Sequence, residues 1–433
     1  MLTQIEVSNF RVFDRPVTVR VRPVTVIIGR NSSGKSSLIK LLLMLQQSLR
    51  TDTPSFLVSD GPRVRLGRFA DLKNSLSSEN SLRFALHFET RDIPDESKRA
   101  VINAMKKAKL KSDPFTGDTN LGVQVKATAN GHRQREETAT IDVQGQVSYR
   151  QQAGTHEVVV RMNDEVMHRD FARTRAEGVR FLHFPPRSTE ATEGIVRAFA
   201  DQYLDPARYE IREMRHLGPV RLVERNGPVT AAPPDGDVGQ YGEFAIPHFQ
   251  TLLRNGGESA KFARRHLEAV ADVVRVRFRS QAKGLTTDAK AVNKTTGAEC
   301  YLGNFGFGVS QSLPVIVQGA ILPAGHLLMV EQPEAQLHPT AQLELGQFFA
   351  ELWTQRKVPS LIETHSSNIL LRLKLLVARS ELPADAISVA YVHADKDGRP
   401  IVTNLEMDSR GRLEKGLPLE FFGADIRESL KFR

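Results

Sequence analysis

Apolar and polar positions alternate from Ile5 to Phe13 and again from Val17 to Val21, which predicts two half-buried strands. The apolar run Val24-Thr25-Val26-Ile27-Ile28 then predicts a buried strand, and Leu38-Ile39-Lys40-Leu41-Leu42-Leu43-Met44 a buried helix. Alternation returns at 82–88, 122–127, 139–149 and 156–162 with glycine-containing turns between, the pattern of an antiparallel meander. A basic helix over 95–109 interrupts it. From Asn163 to Met214 the pattern reads as helical, broken at Pro185-Pro186 and Pro206 and ended by Gly218-Pro219. Arg225 to Gly242 reads as a long loop, followed by helices over 244–253 and 258–273 and a strand over 275–279. An apolar helix over 313–321 precedes two buried strands, 327–331 and 359–364. No internal repeat, low-complexity tract or sustained heptad occurs.

At 433 residues and 40% hydrophobic the chain can bury a large core with two or three lobes. Its single cysteine, Cys300, excludes an intrachain disulfide and a cysteine-based zinc site, so a reducing, cytoplasmic setting and a buried thiol are expected. The start, Met1 to Val7, lacks the pattern of a signal peptide, and no run approaches the ~18 apolar residues of a membrane span. The net charge of +9 suits anionic partners without identifying one.

Candidate chemistry concentrates in four segments. Between the predicted buried strand and helix lies Gly29-Arg30-Asn31-Ser32-Ser33-Gly34-Lys35-Ser36-Ser37, a P-loop pattern. Its glycines let backbone N–H groups converge on phosphates, and the helix N-terminus adds positive potential. Lys35 would reach the β- and γ-phosphates of a nucleoside triphosphate, and Ser36 would give a hydroxyl to Mg²⁺. Leu327 to Glu331 is a strand ending in an acid, which serves either as a core strand end or as a Mg²⁺-binding carboxylate. Gln332-Pro333-Glu334 follows it, and the 359–364 strand ends at His365-Ser366-Ser367. Upstream, Gly303 to Gln311 is a glycine-rich loop opening onto a helix, suited to an anion or to a tight turn on the core.

In this order the four segments resemble the head of ATP-binding-cassette ATPases, and most closely the OLD and SMC-like branch of DNA repair and anti-phage defence. The likeness covers residues 1–50 and most of the chain from 300 onward, including Asn9-Phe10-Arg11 and the ending Phe421 to Leu430. It implies an α/β fold: a mainly parallel core sheet, an antiparallel β subdomain and a helical lobe. The division implied is an ATPase lobe over 1–90, a meander with helical insertions over 91–215 and a second ATPase lobe over 216–433. Carried over by position, Gly29, Asn31, Ser32, Ser33, Gly34, Lys35, Ser36 and Ser37 bind ATP, and Ser36 and Glu331 hold Mg²⁺. Gly306, Gly308 and Ser310 are the signature loop, offered to the γ-phosphate of a second subunit in an ATP-sandwiching homodimer, and His365 is the switch histidine. The chain departs from the family where a second acid is usual: Gln332 follows Glu331, and Gln can orient water but cannot take its proton. Hydrolysis is then slow, or Glu334 supplies the base.

The basic clusters Lys98-Arg99 with Lys106, Lys107, Lys109 and Lys111, and Arg264-Arg265 with Arg275, Arg277 and Arg279, suit either salt-sensitive, sequence-independent nucleic-acid binding or a solvated face. The resemblance implies an ATP-gated switch controlling a partner effector, a nuclease. A transporter's ATP-binding subunit and a non-cycling ATP-holding module are the alternatives.

Overall fold

The computed structural model describes residues 1–50, 57–79, 81–90, 121–130, 138–143, 147–152, 155–162, 165–173, 205–221, 229–230, 236–281 and 286–414. The chain opens with β1 (Leu2–Ser8) and β2 (Val17–Arg20), antiparallel with Ile5 opposite Val19. Ile5, Val7, Val17 and Val19 are buried, so the alternation is realised as one inward face. Next come β3 (Val24–Gly29), buried at every position, and the helix α1 (Lys35–Arg50). The chain divides into two compact units, one of Met1–Val21, Ser36–Glu213 and His393–Val402, the other of Arg22–Lys35, Met214–Val392 and Thr403–Arg433.

The first unit is built on the antiparallel meander. After β1 and β2 come β4 (Ser81–Thr90), β5 (Leu121–Asn130), β6 (Thr138–Val143), β7 (Val147–Gln152), β8 (Thr155–Met162) and β9 (Glu165–Arg173), in the spatial order β2-β1-β4-β5-β6-β7-β8-β9. Two expectations are corrected. The alternating run over 139–149 is two paired strands, Val143 opposite Val147, the sequence between them, Gln144-Gly145-Gln146, carrying a glycine and no apolar residue to continue the alternation. Residues 165–173, read as helical, form β9 because β8 supplies partners along its length, from Thr155–Arg173 to Met162–Glu165, and cross-strand pairing outweighs a weak local pattern. The expected basic helix over 95–109, residues 174–204, most of 225–235 within the expected 225–242 loop, and the ending over 421–430 lie outside the described residues. A helix, α2 (Asp205–Glu213), follows the meander.

The second unit holds a mainly parallel sheet. Its strands are β10 (Arg215–Leu217), β15 (Leu328–Glu331), β16 (Ser360–Glu363), β3, β17 (Ile387–Ala394) and β18 (Pro400–Leu405), in that spatial order. The four pairings from β10 to β17 are parallel. Parallel neighbours need crossovers. Among them are α6 (Pro339–Arg356), between β15 and β16, and α7 (Ser367–Ala378), between β16 and β17. Two more helices, α3 (Ala245–Asn255) and α4 (Gly257–Ala271), lead to a small antiparallel sheet of β11 (Val229–Thr230), β12 (Val273–Gln281), β13 (Thr286–Asn293) and β14 (Glu299–Tyr301). α5 (Phe307–Ile321) starts six residues earlier than the apolar pattern suggested, since its first turn is glycine-rich and polar. Val26, Ile28, Val330, Ile362, Leu313, Ile316, Phe348 and Leu373 pack into one apolar core. Cys300, expected buried, is half-buried, in a strand that among the described residues pairs with β13 alone. No helix of the described residues is long and apolar enough to cross a membrane.

One ion cluster in this unit yields a stability prediction. The buried His266 ring of α4 packs at a tilt against Phe262, with centroids 4.4 Å apart, and edge-on against Phe348 of α6 at 5.2 Å, and its Nε2 lies 3.3 Å from the Glu351 carboxylate. Burial would raise the Glu351 pKa, but hydrogen bonds from His266 and Gln347 and the charges of His266 and Arg265 hold it at about 2. A depressed carboxylate stabilises the fold above its unfolded value, about 4.3, and that contribution is lost as pH falls towards 2. Glu351→Gln is expected to cost on the order of 2 kcal/mol at pH 7, with the difference from wild type closing towards pH 2. Denaturation midpoints at both pH values check this; a pH-independent difference would sink it.

Candidate functional site

β3 delivers Gly29 to the C-terminal edge of the parallel sheet, opposite Val392 of β17. Its φ is +153°, and a Cβ there would meet the Val392 carbonyl oxygen at 2.2 Å, so the strand-to-loop turn requires glycine. The loop turns through Ser32 at φ 61° and Gly34 at φ 110°, with Arg30, Asn31 and Ser32 exposed. The Ser33 Oγ is buried with no partner among the described residues. Lys35 opens α1, is 3% exposed, and donates from Nζ to the carbonyls of Gly29 at 3.1 Å and Arg30 at 2.7 Å. Burial lowers its pKa, opposed by the charges of Glu363 and Glu334. Ser36 and Ser37 are the next residues of α1.

The adjacent strand ends carry the acids. Glu331 closes β15, level with Glu363 of β16, and its Oε1 lies 2.8 Å from Nε2 of His216 on β10, both side chains being buried. Gln332 then takes φ 46°, a left-handed conformation, with its N–H donating to the Glu363 carbonyl at 2.7 Å. Two residues on, the Glu334 Oε1 accepts the His365 N–H at 2.6 Å, and its Oε2 is buried with no hydrogen-bond partner among the described residues. Burial raises the Glu334 pKa against the hydrogen bonds it accepts and the charge of Arg221. The half-buried His365 follows β16, its pKa lowered by burial and then by Lys35, so its ring is neutral at physiological pH. Ser366 caps α7 through Oγ, accepting from the Ile369 N–H at 3.2 Å, and donates to Gln342 of α6 at 2.7 Å.

The second glycine loop ends at Gly306, the N-cap of α5, with φ 93° and open space where a Cβ would stand. A Cβ on Gly308 would sit 3.6 Å from Leu337 in the turn beyond Glu334. Ser310, expected to face a second subunit, is 4% exposed, in the first turns of α5. Arg221 joins this helix to the acidic turn. It is completely buried, and its guanidinium donates to the carbonyls of Gly218, Gln311, Glu331 and Gln332 at 2.6 to 2.9 Å. Burial lowers its pKa to about 10, against the charges of Glu334 and Glu331.

The unit thus gathers Gly29, Lys35, Glu331, Gln332, Glu334 and His365 at adjacent C-terminal ends of parallel strands, with Gly308 beside the acidic turn. His216, Arg221 and Glu363 escaped the reading of the sequence. β10 is three residues long, too short for a periodic signal, and Gly218-Pro219 read only as a helix stop. The available clue was a His and an Arg flanking that Gly-Pro pair. Lys35 suits phosphate oxygens: burial makes its charge costly, and a triphosphate would offer it stronger acceptors than two carbonyls. Glu331 offers a hard oxygen donor at the strand end, which suits Mg²⁺, an ion that takes one or two carboxylates beside nucleotide phosphates and waters.

A family model described as an AAA ATPase domain matches residues 1–141 and 247–370. Among curated proteins no sequence matches the chain. Solved structures similar to it include an SmcHead bound to the C-winged helix domain of ScpA, with 10% identity, a TM-score of 0.46, and coverage of 94% of this chain and 98% of that one. Another is the SMC head domain from Thermotoga maritima, with 9% identity, a TM-score of 0.42, and coverage of 94% and 99%. A third is the Smc head domain with an extended coiled coil bound to the C-terminal domain of ScpA, derived from Pyrococcus furiosus, with 10% identity, a TM-score of 0.44 and coverage of 99% of both chains.

Proposed function

Because the chain belongs to the AAA ATPase domain family, we propose that it binds Mg-ATP at the C-terminal edge of its parallel sheet and hydrolyses it to ADP and phosphate. One observation carries this reading: Glu331 closes β15, and Lys35, Glu334 and His365 follow the ends of β3, β15 and β16, adjacent parallel strands in register. In such sheets the ligand crevice lies outside the strands' carboxyl ends, where strand order switches; here β3, the earliest of these in sequence, lies between β16 and β17. Gly29 to Lys35 cradle the phosphates. Glu331, its orientation fixed by His216, holds Mg²⁺. Mg²⁺, when bound, withdraws charge from the β- and γ-phosphates. Glu334 takes a proton from the attacking water, and neutral His365 donates to the γ-phosphate.

In this reading a second copy completes the site through its Gly306–Ser310 segment, and ATP-driven pairing is the signal. Ser310 is buried, so pairing requires α5 to shift and expose it. The paired state grips nucleic acid without sequence preference and controls an effector nuclease. What supports this is the motif order together with the exposed Arg275, Arg277 and Arg279 on one face of β12. Arg277 is partly offset by Glu299 at 3.4 Å, and Arg265 by Glu351.

The test is calorimetry and light scattering of the full chain with Mg-ATP. Saturable uptake and a doubling of the 48.3 kDa mass are expected. No uptake removes the ATPase reading; uptake without pairing removes the switch.

A further inference from the structure

Among the described residues Arg221 is the largest fully buried side chain, and nothing in the chemistry of phosphate binding calls for it. A guanidinium taken wholly out of water loses several kcal/mol of hydration unless its donors are matched. Among the described residues its match is four main-chain carbonyls and no carboxylate at ion-pair distance. Nε donates to Gln311 at 2.9 Å, Nη1 to Gly218 at 2.6 Å and Glu331 at 2.8 Å, and Nη2 to Gln332 at 2.7 Å. Gln311 returns a bond, its Nε2 donating to the Arg221 carbonyl at 3.1 Å. Buried charge has been placed where it fixes backbone.

The backbones it fixes are three otherwise separate pieces. Gly218 follows the strand that carries His216, the partner of Glu331. Glu331 and Gln332 form the acidic turn, where the left-handed Gln332 needs outside support, given by Glu363 on its N–H and Arg221 on its carbonyl. Gln311 lies in α5 just after Ser310, in a helix weakened locally because Pro314 has no N–H to offer the Ser310 carbonyl. A planar fork reaches all three at once, which a single ammonium cannot.

Resting on the ATPase reading above, we propose that Arg221 is a positioning residue that locks the Gly306–Ser310 segment to the Glu331–Gln332 turn, so that hydrolysis depends on how the glycine loop is engaged. Arg221 does not touch nucleotide in this assignment. Its removal therefore affects turnover and leaves capture of ATP by Lys35 in place.

The experiment compares the full-length wild type with Arg221→Lys, Gln311→Leu and the double variant, measuring Mg-ATP affinity, kcat and KM. In Arg221→Lys, affinity and KM stay within about threefold while kcat falls by roughly thirtyfold or more. Gln311→Leu, which removes only the return bond, lowers kcat by about three- to tenfold, and the double variant falls little below Arg221→Lys because both act through one link. Wild-type kcat in folded Arg221→Lys overturns the proposal, as does a parallel loss of affinity and kcat, the mark of a merely structural role. Should Arg221→Lys fail to fold, Gln311→Leu decides: wild-type kcat there overturns the link. Failure of the wild type to bind ATP removes the ATPase reading and this proposal with it, whereas normal ATP binding with undiminished turnover in the variants removes this proposal alone.

Discussion

Lys35→Met is expected to lower ATP affinity by roughly 10²–10⁴-fold, since it removes two charge-assisted contacts to phosphate worth about 1.5–3 kcal/mol each. In the nucleotide-free protein the same change has opposing effects. It removes the desolvation cost of an ammonium that is 3% exposed, and it also removes the attraction of Glu363 and Glu334 and the donors to the Gly29 and Arg30 carbonyls. The melting temperature without nucleotide should therefore stay within a few degrees of wild type. With Mg-ATP at about a hundred times the wild-type dissociation constant, wild type gains about 2.7 kcal/mol of stability by mass action and the variant at most about 0.4 kcal/mol. Thermal melts with and without nucleotide separate binding from folding. A Lys35→Met protein that keeps the wild-type nucleotide shift would refute the P-loop assignment.

Glu334→Gln should lower kcat by roughly 10²–10⁴-fold, the ordinary range of general-base catalysis, with ATP affinity nearly unchanged. The structure favours Glu334 over Gln332 for this role. Its carboxylate accepts the His365 N–H on one oxygen, the other oxygen is buried with no hydrogen-bond partner among the described residues, and burial raises its pKa. Gln332, by contrast, has its main chain clamped on both sides, by Glu363 and Arg221. Because a base must be ionised, activity should be lost as pH falls through the raised Glu334 pKa, above the range of an ordinary glutamate. The hydrogen bonds that the carboxylate accepts, and then the charge of Arg221, limit the rise. Gln332→Glu alone should change kcat by less than about threefold and should not rescue Glu334→Gln. Single-turnover hydrolysis measures all three proteins. A large gain from Gln332→Glu, with little loss from Glu334→Gln, would move the base to position 332.

Features set by near neighbours were legible in the chain. The Gly29–Lys35 loop, the buried strand before it, the acid at the end of β15 and the alternation of β1, β2 and β4 are written within a few residues, as glycine conformation, apolar runs and period-two patterns. The reading failed where the local pattern was weak, as for β9, which exists through its pairing with β8.

What the tertiary structure decided are the relations over long separations. His216 reaches Glu331 across 115 positions, and Arg221 reaches Gln311 and Glu331 across 90 and 110. The sequence alone determined that the chain carries a P-loop pattern, an acid-tipped strand and a glycine-rich helix start. Folding decided which oxygen each cation meets and which carboxylate is driven towards its protonated form. The physical reason is that these depend on desolvation and hydrogen bonding among segments that touch only once the parallel sheet has assembled.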